Sequence, residues 1–421
     1  MTGLAIGDPL EAVSLERLRA RSSMKWRTHP ADVLPLWVAE MDVDLALPVV
    51  EAICAAMQQG DTGYPVGTAY AEALAGFAER RWGWPDFPVG RSALVPDVMQ
   101  GAVEALRLVT DVGDMVIVNP PVYPPFYAFA EYAGRQVLEA PLDGAGRLDL
   151  DALADAFARA TRGGRRAAYL LCSPHNPTGT VHSAEDLQRV AALADARGVR
   201  VIADEIHAPL VLPGVQFVPY LRVAADSNAF ALTSASKGFN LAGLKAAVLS
   251  AGAAAGGDLQ RLPEVVSHGP SHLGVLAHAA ALNDGDEWLD ALLSGLDRKR
   301  RMLSELLATH LPTVGWRPPQ ASYLAWLDCR ALTAGSSARD PGPEHEGRGN
   351  VLAVVGAARF FLTEARVALS AGEAFGSCGE GYVRLNYATS AEVLSAAITA
   401  MADAENAAAA HAAGRARRTS S

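Results

Sequence analysis

The chain has 421 residues, of which 50% are hydrophobic and 19% are charged, a balance typical of a globular protein with a large buried core. This length corresponds to about two to three domains. The formal net charge of −10 leaves no basic surface that could follow a phosphate backbone, which argues against nucleic acid as a partner.

Cysteine usage and the N-terminal segment indicate where the protein works. The cysteines lack the paired spacing of a metal site, so we expect no metal and a reducing compartment. They are Cys54, Cys172, Cys329 and Cys378. The first residues show no long apolar run behind a basic start, and no window approaches about 18 uninterrupted apolar residues. The sequence therefore predicts a soluble protein of the cytoplasm with no membrane partner.

Four short apolar runs, each ending in a loop rich in Pro, Gly, Ser or Asn, predict strands buried on both faces. They lie within 115–125, 167–179, 199–207 and 229–238. Between the second and third runs, Ser183 predicts the N-cap of a helix that ends at Gly198. Such strand, helix, strand units predict an α/β fold with a mainly parallel sheet flanked by helices, where ligands gather beyond the carboxyl ends of the strands.

From about residue 290 the pattern changes to long helices and isolated strands, which predicts a smaller α+β domain. We place the N-terminal segment, which we expect to pack with that small domain, at 1–48. The large domain then covers 49–288, the small domain 289–407 and a disordered tail 408–421. The stretch 333–350 is rich in Gly, Pro, Ser and charge, and predicts a mobile insertion without chemistry.

Lys237 stands in the stretch TSASKGFN, among side chains too small to cover it and after an apolar strand. A partly desolvated lysine favours its neutral amine, which can attack a carbonyl and form a Schiff base. We therefore predict an aldehyde cofactor at Lys237. The small neighbours leave the volume that the ring and phosphate of such a cofactor need.

The neighbouring loops carry the polar groups that pyridoxal phosphate requires. Asp204, at a predicted strand end, could hold a protonated ring nitrogen, the arrangement that makes this cofactor an electron sink. Asn176 offers an amide donor for the phenolic oxygen, and Tyr123 offers a ring that could stack on the cofactor. Arg384 is a planar, bidentate partner for a substrate carboxylate.

The phosphate of the cofactor has two candidate binding elements. Ser234 and Ser236 offer hydroxyl donors beside the lysine, and the loop 98–101 precedes an amphipathic helix whose first amides could bind an anion. Taken singly, each of these candidates has an ordinary structural explanation with a prior of roughly one half or more. The ordered set of four loops at like strand ends is what favours a cofactor site.

The motifs NPTG, ADEIH and SASK together with the late arginine resemble the fold-type I pyridoxal-phosphate enzymes, the aspartate aminotransferase superfamily, over nearly the whole chain. The resemblance implies Lys237 as the Schiff-base lysine, Asp204 on the pyridine nitrogen and Asn176 on the ring hydroxyl. It also implies that Tyr123 stacks on the ring and that Arg384 binds the α-carboxylate. The phosphate-binding set that it implies is Met99, Gln100, Ser234, Ser236 and Lys245.

Two positions differ from the aminotransferase pattern. His207 occupies the place from which aminotransferases typically carry a tyrosine to the ring oxygen. Lys245 stands where they often place an arginine for the phosphate, and a lysine supplies a point charge instead of a planar fork.

Longer segments resemble one branch, the MalY/PatB-type cystathionine β-lyases or carbon–sulfur lyases. The segments are KWRTHPADVLPLWVAEMD, DTGYP, SPHNPTG, ADEIHAPLV, GDEWLDALLSGLDRKR, QASYLAWLDCR and GEAFGSCGEGYVRLNYA. This resemblance implies β-elimination from cystathionine or another S-substituted L-cysteine, which yields a thiol, pyruvate and ammonia. It also implies a homodimer in which Tyr64 reaches the phosphate of the neighbouring subunit.

The same resemblance places Trp37, Glu40 and Tyr323 beside the substrate, with Glu40 and Val43 in place of the branch's usual Asp and Phe. Three alternatives stay open: a class I/II aminotransferase, a decarboxylating or oxidative enzyme acting on a cysteine conjugate, and a non-catalytic regulator built on the same fold. Elimination and transamination begin with the same proton removal at Cα. The residues around the cofactor therefore do not separate these two reactions.

Overall fold

The structure, a computed structural model, describes residues 7–332, 352 and 354–419, the last five of them by their backbone alone. The predicted insertion 333–350 lies outside the described residues. The strands are β1 Leu34–Pro35, β2 Ser92–Val95, β3 Met115–Val118, β4 Gln136–Glu139, β5 Ala167–Cys172, β6 Val199–Asp204, β7 Phe230–Thr233, β8 Ala247–Ala251, β9 Gly315–Trp316, β10 Leu324–Asp328, β11 Val367–Ala368, β12 Ser370–Ala371 and β13 Tyr382–Asn386.

Helices of very different length connect these strands. They are α1 Leu15–Arg19, α2 Met24–Arg27, α3 Leu47–Gln59, α4 Ala69–Trp82, α5 Val98–Val109, α6 Pro125–Tyr132, α7 Leu150–Ala160, α8 Ala184–Arg197, α9 Tyr220–Val223, α10 Gly256–Leu259, α11 Glu264–Ser267, α12 His272–Asp284, α13 Asp286–His310, α14 Gly356–Phe360 and α15 Ala391–Thr419. None of the helices in the described part of the chain is long and apolar enough to cross a membrane.

A seven-stranded sheet forms the centre of the molecule, in the order β2-β8-β7-β6-β5-β3-β4. All neighbours run parallel except β8, which is antiparallel to both β2 and β7. Every residue of β5, β7 and β8 is buried, because helices cover both faces of the sheet. The mainly parallel sheet therefore agrees with the sequence prediction, and its strand ends bring the four predicted loops to one edge.

Helix α8 shows how local sequence sets the strand, helix, strand units. The Ser183 hydroxyl accepts a hydrogen bond from the Asp186 backbone N–H (3.0 Å) and so caps the first turn. The helix ends at Gly198, whose φ of +65° lies in the left-handed region that favours glycine. Leu187 and Val190 bury one face against the sheet, as the spacing predicts.

A second, four-stranded antiparallel sheet has the order β12-β13-β10-β9. The N-terminal segment reaches this part of the molecule through β1, which pairs in parallel with β11 at Leu34 and Val367. The domain limit that we placed at residue 288 falls inside the first turn of α13. The ranges of the four segments themselves stay a prediction.

The C-terminal end differs from the sequence prediction. Helix α15 continues through residues 408–419, where we expected a disordered tail. Ala407–Ala410, Ala412 and Ala413 carry the highest helix propensity of any residue type, which favours continuation of the helix in spite of Gly414.

Candidate active site

The carboxyl ends of β5, β6 and β7 open into one cavity of about 190 Å³. Eight of the predicted site residues line it: Met99, Tyr123, Asn176, Asp204, His207, Ser236, Lys237 and Lys245. Parallel strands place their carboxyl ends on the same edge of the sheet, which is why loops so distant in the chain meet here.

Lys237 follows β7 and is half-buried, with its amine directed toward the N-terminal segment. Its Nζ donates a hydrogen bond to the Ala39 carbonyl at 2.9 Å. Burial lowers the pKa of Lys237 to about 8, and the positive charge of Arg384 adds to that effect. A sizeable neutral fraction is therefore present near neutral pH, as a nucleophile or base requires.

Asp204 ends β6, and its side chain is buried among apolar residues. Its Oδ1 accepts a hydrogen bond from the Ile206 backbone N–H at 3.0 Å. Burial raises the pKa of this carboxyl to about 7 despite that bond and the nearby charge of Lys237. Among the described residues no cation lies within ion-pair distance of Asp204, so the carboxylate is poised for a cationic partner in the cavity.

Arg384 extends from β13 of the second sheet to the edge of the first. One Nη donates to Asn176 Oδ1 (3.1 Å), and the other donates to the Trp37 carbonyl (3.1 Å) and to Ser370 Oγ (3.2 Å). The guanidinium is buried over the Phe375 ring, and burial lowers its pKa to about 10. Its Nε meets no hydrogen-bond partner in the described part of the chain, which leaves one donor available.

Two further side chains line the cavity, Tyr123 and His207. Burial raises the pKa of Tyr123 to about 12, so its ring is neutral. His207 Nδ1 lies 3.1 Å from Ser322 Oγ, and burial together with Lys237 and Arg384 lowers the pKa of His207 to about 3.

Tyr323 stands directly before β10 of the second sheet, outside the cavity wall. Its hydroxyl donates to the Ala39 carbonyl at 3.0 Å, so one backbone oxygen accepts from both Tyr323 and Lys237. Burial raises the Tyr323 pKa, which keeps the phenol protonated as a donor. Tyr323 does not itself line the cavity.

The predicted phosphate end of the cavity lies at the start of α5. Asp97 caps this helix by accepting the Gln100 backbone N–H at 2.8 Å, and its other oxygen lies 2.8 Å from Lys245 Nζ. Met99 and Ser236 line the cavity beside them, whereas the Gln100 side chain donates to Glu104 instead (3.1 Å). A phosphate here would compete with Asp97 for the Gln100 amide and for Lys245.

Seven predicted residues do not line the cavity: Gln100, Ser234, Tyr64, Trp37, Glu40, Tyr323 and Arg384. The Ser234 hydroxyl donates to the Ala246 carbonyl at 2.8 Å. Tyr64 is 78% exposed beside the His268 ring. Trp37 contributes its carbonyl to Arg384 while its ring packs edge-on against His29.

In the described part of the chain, Glu40 makes its hydrogen bonds through its backbone. The Glu40 carbonyl accepts from Lys25 Nζ (3.2 Å) and from Asn386 Nδ2 (2.7 Å). The charge of its carboxylate nevertheless acts on the site. It raises the pKa of Lys237, which opposes the effect of burial and of Arg384, and it raises the pKa of Tyr323 in the same direction as burial. Glu40 therefore lies at the periphery of the cavity rather than in its wall.

Sequence reasoning missed the Ala39 carbonyl, Ser322, Ser370 and Asp97. An Asp directly before the VMQG helix start is a recognisable N-cap signal, so Asp97 could have been found. The others had no local signal. A backbone carbonyl carries no residue-type information, and the two serines reach the site only through pairing between distant segments.

A family model of the aminotransferases of class I and II matches residues 31–401. The chain belongs to this aminotransferase class I and II family. The match covers both sheets and every residue of the site described above, from Trp37 to Arg384.

Individual members of the class I and II family resemble this chain closely. A Mycobacterium leprae protein named "Putative cystathionine beta-lyase" is 57% identical over 397 residues, covering 94% of this chain and 97% of its own. The cystathionine beta-lyase of Corynebacterium glutamicum is 34% identical and covers 90% of this chain and 96% of its own. A crystal structure from Corynebacterium diphtheriae, described as a "putative plp-dependent beta-cystathionase", is 34% identical with a TM-score of 0.84 over 94% of this chain and 99% of its own.

These findings confirm two sequence predictions. The fold is that of the fold-type I superfamily, with its mainly parallel sheet, and the resemblance to the cystathionine β-lyase branch holds over nearly the full length. The roles of the individual site residues stay predictions.

A buried ion pair supports the segment that carries the Ala39 carbonyl. Lys25 Nζ lies 2.8 Å from Asp42 Oδ2, with both side chains 1% exposed, and Trp26 Nε1 donates to the other Asp42 oxygen (3.1 Å). Lys25 also donates to the Glu40 carbonyl, so the pair fixes residues 40–42 directly beside Ala39.

We expect Asp42→Ala to lower the free energy of unfolding by about 3–5 kcal/mol, because it leaves the Lys25 ammonium buried without its partner. Urea unfolding of the two proteins measures the difference. The matched control is Asp44→Ala, which breaks the exposed pair with Arg17 (3.0 Å) and should cost less than about 1 kcal/mol. Equal losses in the two variants would contradict the assigned role of the buried pair.

The lowered pKa of Lys237 predicts how its amine reacts with a small aldehyde in cofactor-free protein. Only the neutral amine reacts, so the rate should rise about tenfold from roughly pH 7 to roughly pH 9 and then level off. Free Nα-acetyl-lysine should gain roughly a hundredfold over that range. Reductive trapping and peptide mass spectrometry give the rate at Lys237, and a gain as steep as that of the free amino acid would contradict the lowered pKa.

Proposed function

We propose that this protein is a pyridoxal-phosphate-dependent carbon–sulfur β-lyase that cleaves cystathionine or another S-substituted L-cysteine to a thiol, pyruvate and ammonia. One observation carries the proposal: the Lys237 amine, with its pKa lowered to about 8, shares a cavity with the buried Asp204 carboxylate. The cystathionine β-lyase names of the relatives, and the PLP-dependent description of the C. diphtheriae structure, support the reaction and the cofactor.

The described residues fit pyridoxal phosphate by charge and shape. A buried carboxylate whose pKa burial has raised to about 7 is stabilised by a cation, and the protonated ring nitrogen is such a cation. Lys237 would hold the aldehyde carbon, Asn176 would donate to the ring hydroxyl, and Tyr123 would cover the ring face. The start of α5 with Ser236 and Lys245 would hold the phosphate.

When bound, the cofactor supplies an electron sink for the charge left when a bond at the substrate Cα breaks. Lys237 then moves the Cα proton, because its neutral amine is populated near neutral pH and its Nζ lies on the cavity wall. The Ala39 carbonyl, which accepts from Nζ, restrains the amine on the side of the N-terminal segment. A positioned base of this kind is worth about 10²- to 10⁴-fold in rate.

Arg384 binds the substrate carboxylate in this proposal. Its guanidinium is already desolvated and oriented by Asn176, Trp37 and Ser370, so little further ordering is needed when an anion arrives. Orientation by Arg384 would also decide which bond at Cα breaks. Breaking the Cα–H bond leads to elimination, and breaking the bond to the carboxylate would lead to decarboxylation.

The proposal includes a homodimer in the cytoplasm. Several large apolar side chains are exposed along one stretch of the chain: Leu45, Leu47, Val50, Met57, Tyr64 and Val66. A second copy that covers this stretch would bury them and would bring Tyr64 near another subunit, in keeping with the resemblance. Sedimentation velocity tests this assembly, and a monomer at assay concentration would refute it.

The deciding experiment assays the reaction without any keto acid. Purified, cofactor-loaded protein is incubated with L-cystathionine and with several S-substituted cysteines, and pyruvate, ammonia and thiol are measured. Equimolar pyruvate and thiol over many turnovers support the β-lyase. Turnover that appears only after a keto acid is added, with no thiol released, would refute it and identify an aminotransferase.

A further inference from the structure

A buried polar cluster lies behind Lys237 and outside the cavity. Tyr70 comes from α4 and His278 from α12, and both are buried, with exposed fractions of 1% and 0%. The Tyr70 hydroxyl oxygen lies 2.9 Å from His278 Nδ1 and accepts a hydrogen bond from the Ala235 backbone N–H at 3.1 Å. Ala235 is two residues before Lys237, so the cluster touches the backbone that carries the reactive amine.

The hydrogen-bond donors in this cluster indicate which ring nitrogen of His278 carries the proton. Because the Ala235 N–H donates to the Tyr70 oxygen, the Tyr70 O–H is free to donate to His278 Nδ1. In that arrangement Nδ1, which also lies 3.4 Å from Ser234 Oγ, is the acceptor, and the neutral ring carries its proton on Nε2. Burial lowers the pKa of His278 to about 4, which agrees with this neutral form even though the Leu244 and Leu241 carbonyls act in the opposite direction.

The next amide toward the lysine is held in a similar way. The Ser234 hydroxyl accepts from the Ser236 backbone N–H at 3.2 Å and donates to the Ala246 carbonyl at 2.8 Å. Both peptide N–H groups that precede Lys237 are thus fixed by side chains. Tyr70, which fixes the first, belongs to α4 and contacts His278 of α12. Ser234, which fixes the second, donates to the carbonyl of Ala246 directly before β8.

We propose that Tyr70 and His278 are positioning residues: His278 orients the Tyr70 hydroxyl, which fixes the Ala235 amide and thereby the direction in which Lys237 projects. A misplacement of a reacting group by about 1 Å can cost about 10²-fold in rate, so a backbone clamp here affects the reaction without touching substrate. The inference rests on the proposed role of Lys237 in proton transfer at Cα.

Tyr70→Phe is the sharpest test, because it removes one oxygen and keeps the ring. Amide hydrogen exchange of the cofactor-free protein is followed by mass spectrometry in peptides that cover 233–240. We expect exchange there to become about tenfold faster or more, since a buried N–H loses its acceptor. The matched control is Tyr127→Phe, another buried tyrosine, whose hydroxyl donates to Glu139 (2.8 Å) at the opposite edge of the sheet. It should leave those peptides unchanged.

A second pair of variants separates positioning from general stability. His278→Leu removes the acceptor for Tyr70, whereas His278→Asn keeps a side-chain oxygen that can accept in its place. In the cofactor-loaded enzyme, His278→Leu should lower kcat about tenfold with KM nearly unchanged and shift the pH midpoint of the visible band of the lysine-bound cofactor. His278→Asn should restore much of both.

Three results would overturn the inference. The first is unchanged hydrogen exchange at 233–240 in Tyr70→Phe, and the second is an equal change of exchange in Tyr127→Phe. The third is faster exchange in Tyr70→Phe while kcat and the pH midpoint in His278→Leu stay as in the unmodified protein. Failure of the proposed function is distinguishable from all three. It would show as absence of thiol and pyruvate formation by the unmodified protein, whatever the exchange measurements give.

Discussion

Lys237→Ala should abolish β-elimination, with a loss of about 10³-fold or more in kcat, because one residue is proposed both to hold the cofactor and to move the Cα proton. The visible absorbance band of the lysine-bound cofactor should disappear as well. Stopped assays of pyruvate and thiol, together with absorbance spectra of the loaded protein, measure the two effects. The fold should persist, since among the described residues the Lys237 side chain makes one hydrogen bond, to the Ala39 carbonyl.

Lys237→Arg is the matched control for charge. It retains a cation in the cavity but stays protonated and cannot form the covalent link, so it should be as inactive as the alanine variant. Lys245→Ala provides a second comparison, because it removes a cation from the same cavity without removing the proposed base. We expect it to weaken cofactor binding more than it lowers kcat. Near-normal turnover in Lys237→Arg would contradict the assignment of Lys237.

The strands of the central sheet were predictable because their residues carry the signal locally. AAYLLC is apolar at every position, and only a strand covered on both faces buries all six residues. The same reasoning placed Asn176, Asp204 and Lys237 together, since loops that follow parallel strands share an edge. Arg384 was proposed from its side-chain chemistry and from the resemblance, not from its position, because its approach depends on the pairing of β13 with β10 in the other sheet.

What the sequence did not predict depends on contacts between distant segments. The two serines of SASK look equivalent, yet Ser236 lines the cavity while the Ser234 hydroxyl turns to Ala246. That difference follows from the Ala246 carbonyl, directly before β8, which accepts a hydrogen bond from the Ser234 hydroxyl. The position of the Ala39 carbonyl is likewise set by the buried Lys25–Asp42 pair and by the pairing of β1 with β11. Neither of these contacts can be predicted from residue type.

Asp204→Asn should lower kcat by about 10³-fold and weaken cofactor binding, because a neutral amide cannot balance a protonated ring nitrogen. The pH dependence of folding stability gives an independent test of the Asp204 pKa. In cofactor-free protein the Asp204 pKa is raised from 3.8 to about 7, so the folded state binds the extra proton and the group's contribution to stability falls as pH rises through that window. Asp204→Asn should remove that part of the decline, which thermal unfolding across the window measures.

Glu205→Gln is a matched control next to Asp204 in sequence. Glu205 is equally buried, and burial raises its pKa to about 8, but its Oε1 accepts the Tyr220 backbone N–H (2.6 Å) and it does not line the cavity. Successive residues of an extended chain point to opposite faces, which separates the two carboxyls. Glu205→Gln should therefore change the pH dependence of stability while leaving kcat and cofactor affinity nearly as they were. Equal losses of activity in Asp204→Asn and Glu205→Gln would contradict the assignment of Asp204. They would show that the enzyme needs a buried carboxyl at this strand end, whether or not it faces the cofactor ring.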